Sequence, residues 1–139
     1  MMGTARRRVD VIRKVLLADD QQAVLELVEA TIGNDGSVEI RTAGDGDEAL
    51  QIARAWRPDL IFLDVMMPKM NGFEVCHTLK TDPRTAEIKV VMLTGLLPAP
   101  DGYSALGEGE ADGYVTKPFK PVELFRIFER MQGQLIPDE

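Results

Sequence analysis

The sequence predicts an α/β protein with one parallel sheet of five strands and helices on both faces. Two features carry this prediction. Five short apolar runs alternate with longer stretches in which apolar residues recur at helical spacing, and Gly, Pro, Asn and Asp separate them. Strands that alternate with helices form βαβ units, and a parallel sheet built from such units is covered on both faces. A length of 139 residues suits a single domain.

The predicted elements follow in chain order. The apolar runs place strands at 15–18, 38–43, 60–63, 90–93 and 114–116. Helical stripes of apolar residues occupy 23–32, 49–56, 73–79 and 122–131. The last stripe is expected to consist of Val122, Leu124, Phe125, Phe128 and Met131. Glycines and prolines crowd the segment between the fourth and fifth strands, so the helix expected there is short, at about 103–107. We expect a flexible N-terminal extension at 1–14, a domain at 15–132 and a tail at 133–139.

Composition limits the possible functions. The formal net charge of -7 disfavours non-specific binding to nucleic acid. A single cysteine, Cys76, excludes an internal disulfide and suits a reducing compartment. No apolar stretch reaches the roughly 18 residues of a membrane helix, and the basic run at 6–8 is not followed by the apolar run of a signal peptide. We therefore expect a cytoplasmic protein that binds neither nucleic acid nor membrane directly.

Polar residues stand where the predicted strands end. Right-handed crossovers make all strands of such a sheet point the same way, so their carboxyl ends meet at one edge, where ligands of open α/β sheets bind. The sequence therefore predicts one pocket of three acids, a hydroxyl and an ammonium. Its members are Asp19 and Asp20 after the first strand, Asp64 after the third, Thr94 after the fourth and Lys117 after the fifth.

The chemistry of this pocket points to phosphoryl transfer. Three carboxylates this close raise one another's pKa unless a cation neutralises them, and oxygen ligands suit a hard cation such as Mg²⁺. A carboxylate beside a metal, a lysine and a hydroxyl can stabilise an incoming phosphoryl group. Asp64 is the best placed acceptor because it ends the central strand, and aspartyl phosphates are known products of carboxylate nucleophiles.

Five motifs together resemble the receiver domain of two-component response regulators, a CheY-like fold. They are L-L-A-D-D at 16–20, D-G-D-E-A-L at 45–50, P-D-L-I-F-L-D-V-M-M-P-K-M-N-G at 58–72, V-M-L-T-G at 91–95 and A-D-G-Y-V-T-K-P-F at 111–119. Each motif is weak alone, but all five in this order are specific. The resemblance implies a doubly wound, flavodoxin-like sheet with strand order 2-1-3-4-5.

The resemblance also implies residue roles. Asp64 would accept a phosphoryl group from a sensor histidine kinase or a phosphotransfer protein, and the domain would be regulatory rather than an enzyme. Mg²⁺, with Mn²⁺ as a substitute, would be held by the carboxylates of Asp19, Asp20 and Asp64 and by the backbone carbonyl of Met66.

The resemblance implies roles for five further residues. Lys117 would bind the phosphoryl oxygens. The peptide bond between Lys117 and Pro118 would be cis. Thr94 would move onto the new phosphoryl oxygen, Tyr114 would follow inward, and Gly95 would leave room for the phosphodonor. The surface around the fourth helix, fifth strand and fifth helix would then change for a downstream protein target or for an output domain outside this chain.

Alternative interpretations remain open. Asp19 or Asp20 could simply cap the first helix, and Tyr114 could be ordinary core. A pseudo-receiver that never takes phosphate would keep the same fold. A phosphohydrolase of the haloacid dehalogenase type needs a second acid two residues after its nucleophile, where this chain has Met66.

Met66 and Leu96 cannot position a hydrolytic water by hydrogen bonding, which predicts slow self-dephosphorylation. We also expect the segment 96–109 to be mobile until phosphorylation or partner docking orders it.

Overall fold

The computed structural model describes residues 11–33, 36–95 and 111–132 of the chain. In these ranges strands and helices alternate, except that β4 and β5 follow one another across residues 96–110, which lie outside the description. The elements are β1 Lys14–Ala18, α1 Gln22–Ile32, β2 Glu39–Ala43, α2 Gly46–Trp56, β3 Leu60–Asp64, α3 Gly72–Thr81, β4 Lys89–Thr94, β5 Gly113–Thr116 and α4 Pro121–Gln132.

The five strands form one parallel sheet in the order β2-β1-β3-β4-β5, which confirms the predicted fold class. Every residue of the central strand β3 is buried, because both faces of a parallel sheet are covered. The edge strand β2 instead exposes Glu39, Arg41 and Thr42. Charged side chains on an edge strand oppose pairing with another chain.

Successive side chains of the strands point to opposite faces and form two apolar cores. On one face, Leu17, Phe62 and Leu93 pack with α1 and α4. On the other face, Leu16, Ile61 and Met92 pack with α2 and α3. The sheet is therefore packed on both faces, and this packing fixes the positions of the strand ends relative to one another.

The bounds of the strands agree with the predicted ones to within one residue at each end. The predicted core-facing stripe of the last helix was partly wrong, however. Val122 and Phe125 are 49% and 45% exposed, whereas Ile127 is buried. The core-facing positions of α4 are 124, 127, 128 and 131, a spacing of three, four and seven residues, and Val122 and Phe125 lie off that stripe. The short helix expected at about 103–107 lies outside the described residues.

Ordered packing starts before residue 15, inside the segment assigned to the N-terminal extension. Ile12 is buried and its N–H donates to Gln132 Oε1 at 3.3 Å. The N–H groups of Arg13 and Lys14 both donate to Asp59 Oδ2, at 2.9 and 3.0 Å. These contacts join the start of β1 to α4 and to the residue before β3, so residues 12–14 pack with the domain.

Helix α3 begins directly against the end of β3. The Gly72 N–H donates to the Val65 carbonyl oxygen at 2.9 Å. A Cβ atom on Gly72 would overlap the Asp64 carbonyl oxygen and would lie 2.9 Å from Val65 Cα. Only glycine permits this approach of helix and strand. A capping box between Asn71 and Glu74 fixes the same helix end, so the backbone of Asp64 is held by two neighbouring features.

Candidate functional site

The strand register brings the predicted site residues to one edge of the sheet. Ala18 pairs with Leu63, Asp64 with Leu93, and Thr94 with Thr116, so Asp19, Asp64, Thr94 and Lys117 lie close to the same level. Asp19, Asp64 and Thr94 are at most 4% exposed, whereas Asp20 is exposed. The site therefore has a buried floor and one open carboxylate.

Lys117 is the cation among these acids. Its Nζ donates to Asp19 Oδ2 at 2.8 Å and lies 3.4 Å from Asp64 Oδ1. Its backbone N–H donates to the Thr94 carbonyl oxygen at 2.7 Å, which joins the residue after β5 to the end of β4. The peptide bond from Lys117 to Pro118 is cis. Lys117 thus connects the ends of β1, β3, β4 and β5.

The three carboxylates form a cluster that could hold a metal ion. One carboxylate oxygen from each of Asp19, Asp20 and Asp64 lies within 4.8 Å of the other two. Burial raises the pKa of Asp64 above its ordinary value of 3.8, and the charge of Asp19 raises it further. The Lys117 ammonium and the Met66 N–H lower it but do not cancel the effect of burial. A single ammonium leaves negative charge in excess, and these oxygen donors fit a hard divalent cation.

The remaining predicted residues surround this cluster. The Met66 N–H donates to Asp64 Oδ1 at 3.2 Å, and its side chain is 66% exposed. Gly95 is exposed, and a Cβ atom there would meet nothing within 4 Å. Tyr114 is half-buried, and its side chain packs against the core on the α2 and α3 face in this structure.

Asp19 and Asp20 do not occupy the N-cap position of the first helix, which belongs to Gln21. Asp19 Oδ1 accepts the Gln21 N–H at 2.9 Å, so Asp19 contacts the helix start as well as Lys117. The simple capping interpretation of the acid pair is therefore incomplete, because the second oxygen of Asp19 binds the ammonium.

Sequence reasoning missed two residues that support the site. Gln21 Oε1 accepts a hydrogen bond from Lys117 Nζ at 3.2 Å. Asp112 Oδ2 accepts the Val90 N–H at 2.7 Å and Lys80 Nζ at 2.9 Å, and so ties the start of β5 to β4 and α3. No sequence signal marks Gln21, because Asp19 and Asp20 directly before it are themselves favoured caps and its partner Lys117 lies 96 positions away.

Comparison with known proteins identifies the family. Residues 15–129 match the family model of the response regulator receiver domain. Response regulator PleD of Caulobacter vibrioides is 42% identical over 127 residues, which cover 91% of this chain and 28% of that protein. DNA-binding response regulator MtrA of Mycolicibacterium smegmatis is 39% identical over 123 residues, covering 88% and 49%. The chain thus spans half or less of the length of these relatives.

Solved structures agree with the family match. The chemotaxis response regulator CheY4 of Vibrio cholerae superimposes with a TM-score of 0.78 at 34% identity, covering 87% of this chain and 99% of that one. The chain belongs to the response regulator receiver domain family of two-component signalling, a regulatory family. In the described ranges, no helix combines the length and apolar character needed to cross a bilayer.

Asp64→Asn should stabilise the metal-free protein at neutral pH. Because the pKa of Asp64 is raised in the folded protein, Asp64 keeps its proton to a higher pH there than it does in the unfolded chain. The free energy of unfolding therefore falls as the pH rises from the ordinary carboxyl value of 3.8 to the raised pKa. Asparagine stays neutral and removes the cost. In EDTA at pH 7 we expect Tm to rise by a few degrees, the shift that about 1 kcal/mol produces in a domain of this size.

The gain should shrink as the pH falls through the raised pKa of Asp64 in the folded protein, and it should be absent below the ordinary carboxyl value of 3.8, where Asp64 is protonated in both states. Glu87→Gln, which neutralises an exposed acid, is the matched control and should leave Tm nearly unchanged. Thermal unfolding followed by circular dichroism measures both. An Asp64→Asn protein that is less stable than wild type at pH 7 would contradict this electrostatic account.

Proposed function

We propose that this receiver domain is a phosphoacceptor and that Asp64 takes the phosphoryl group from a phosphohistidine on a sensor kinase or phosphotransfer protein. The observation that carries the proposal is the position of Asp64, buried at the end of the central strand with Lys117 Nζ 3.4 Å away and two further carboxylates beside it. This arrangement has a nucleophile, a fixed cation and carboxylate oxygens that could hold a second cation.

The transfer forms one bond and breaks one. An Asp64 carboxylate oxygen attacks phosphorus, and the phosphorus–nitrogen bond of the donor breaks with its electron pair leaving on the imidazole. Lys117 stands where negative charge accumulates on the phosphoryl oxygens. Asp19, Asp20, Asp64 and the backbone carbonyl of Met66 would hold Mg²⁺, or Mn²⁺ in its place. When bound, the ion would neutralise the excess carboxylate charge and the charge of the incoming group.

Readout would begin at the buried Thr94. Its side chain would turn to hydrogen-bond a phosphoryl oxygen, Gly95 would leave space for the donor, and Tyr114 would move inward. Tyr114 shares a cavity of about 300 Å³ with Glu123, Arg126 and Arg130 of α4. A change at Tyr114 would therefore alter the surface of β5 and α4, the fifth strand and fifth helix of the family pattern. The family's fourth helix falls at residues that the structure does not describe.

The cellular setting belongs to the same proposal. We propose that the receiver domain at 15–132 works in the cytoplasm, where a reducing environment suits a sequence with a single cysteine, the buried Cys76, and hence no internal disulfide. Its partners would be the phosphodonor protein and a downstream protein target or output domain. With a formal net charge of -7, direct binding of nucleic acid by this domain is disfavoured.

Phosphorylation can be tested by intact mass spectrometry after incubation with acetyl phosphate or phosphoramidate. Wild type should gain one phosphoryl group in Mg²⁺ and none in EDTA. Asp64→Asn should gain none, and Asp47→Asn, which neutralises an exposed acid on α2, should behave as wild type. No gain by wild type with any donor would favour a pseudo-receiver that acts by contact alone.

The phosphorylated state should be long-lived. The apolar side chain of Met66 is largely exposed two residues beyond Asp64 and cannot orient an attacking water. We expect the purified phosphoprotein to lose its label over minutes to hours, and Met66→Gln, which supplies a hydrogen-bonding group, to shorten that time several-fold. Following the label by phosphate-affinity electrophoresis measures both. A wild-type half-life of seconds would contradict the expectation. Leu96, the other residue invoked, lies outside the described residues.

A further inference from the structure

Gln21 occupies the N-cap position of α1 without capping the helix. Its backbone is extended, and its side chain makes no hydrogen bond to the first turn. The caps of α2 and α3, Asp45 and Asn71, do bond to their own helices. Ser, Thr, Asp and Asn are favoured at this position and glutamine is not. A residue that breaks a local rule of this kind is best explained by what its side chain contacts instead.

The side chain of Gln21 contacts the site cation. Its Oε1 accepts a hydrogen bond from Lys117 Nζ at 3.2 Å, across 96 positions of sequence. Because lysine only donates, the amide oxygen, and not the nitrogen, must face the ammonium. The Gln21 N–H donates to Asp19 Oδ1 at 2.9 Å, and Asp19 Oδ2 accepts from Lys117 at 2.8 Å. Gln21, Asp19 and Lys117 therefore form a closed ring of three hydrogen bonds.

The ring limits where the ammonium can point. A lysine side chain is flexible, and its ammonium has three N–H donors. Asp19 and Gln21 accept two of these donors, which leaves the third for the side on which Asp64 Oδ1 lies, 3.4 Å away. When the charge of Asp64 passes to a phosphoryl group, this third donor can follow it while the other two stay engaged.

We propose that Gln21 is a positioning residue for phosphoryl transfer, which acts by orienting Lys117 toward Asp64 and the phosphoryl oxygens. The inference rests on the proposed phosphoacceptor function and deepens it. It predicts that loss of the Gln21 oxygen slows phosphorylation although every acid of the site and Lys117 are intact.

Gln21→Asn separates this role from a merely structural one. Asparagine is a favoured cap, so the variant should unfold at the same or a higher temperature than wild type. Its amide is one methylene shorter and cannot keep the contact with Lys117 where it stands. We expect phosphorylation by phosphoramidate in Mg²⁺ to slow roughly threefold to tenfold, the range expected for losing a hydrogen bond to a charged group on a partly exposed site.

Two matched variants complete the test. Gln21→Met keeps the length of the side chain but lacks the acceptor, and should slow phosphorylation to a similar degree. Gln22→Met changes the neighbouring glutamine, which contacts Glu26 instead of the site, and should keep the wild-type rate. Initial rates by intact mass, with Tm for each variant, provide the data.

The outcomes separate the two proposals. Wild-type rates for both Gln21 variants would overturn the positioning role while leaving the phosphoacceptor function standing. Slowing by Gln21→Met with a wild-type rate for Gln21→Asn would also overturn it, because the effect would then follow helix stability. A wild-type protein that takes no phosphoryl group would overturn both the proposed function and this inference.

Discussion

The main physical constraint on this structure is that three carboxylates lie close together at one edge of a parallel sheet. Burying a carboxylate without a partner is costly, and Asp19 and Asp64 are both buried. The Lys117 ammonium contacts both, but one cation cannot balance three acids. The fold carries this cost because two apolar cores hold the sheet from both faces and fix the strand ends. In the proposed function, this unbalanced charge is the property from which cation binding and phosphoryl transfer would follow.

Local contacts also fix the positions of the backbone and the side chain of Asp64. Gly72 allows α3 to begin against the Asp64 carbonyl, and the Met66 N–H donates to the Asp64 side chain. A phosphoryl acceptor gains from such preorganisation, because little must move before the bond forms. In the proposed function, the side chains at the ends of β4 and β5 would then respond to the new group.

The sequence predicted those parts of the molecule that local patterns determine. An apolar run followed by a polar residue located Asp19, Asp64, Thr94 and Lys117, and the parallel topology brought them together. Helix faces were less predictable: Val122 and Phe125 are apolar yet exposed, because they lie off the stripe of α4 that faces the core. Gln21 could not be found, since a glutamine carries no pattern and its partner lies 96 positions away. The burial of Ile12 likewise depends on a contact with the far end of the chain.

The most direct measurement locates the phosphoryl group rather than counting it. Protein labelled with acetyl phosphate in Mg²⁺ is reduced with borohydride, which converts an aspartyl phosphate to homoserine, and its peptides are sequenced by mass spectrometry. We predict homoserine at position 64 alone, and none when Mg²⁺ is withheld. Homoserine at Asp19 or Asp20, or an unmodified Asp64 in protein that carries the label, would contradict the account of Asp64 as the buried acceptor among these acids.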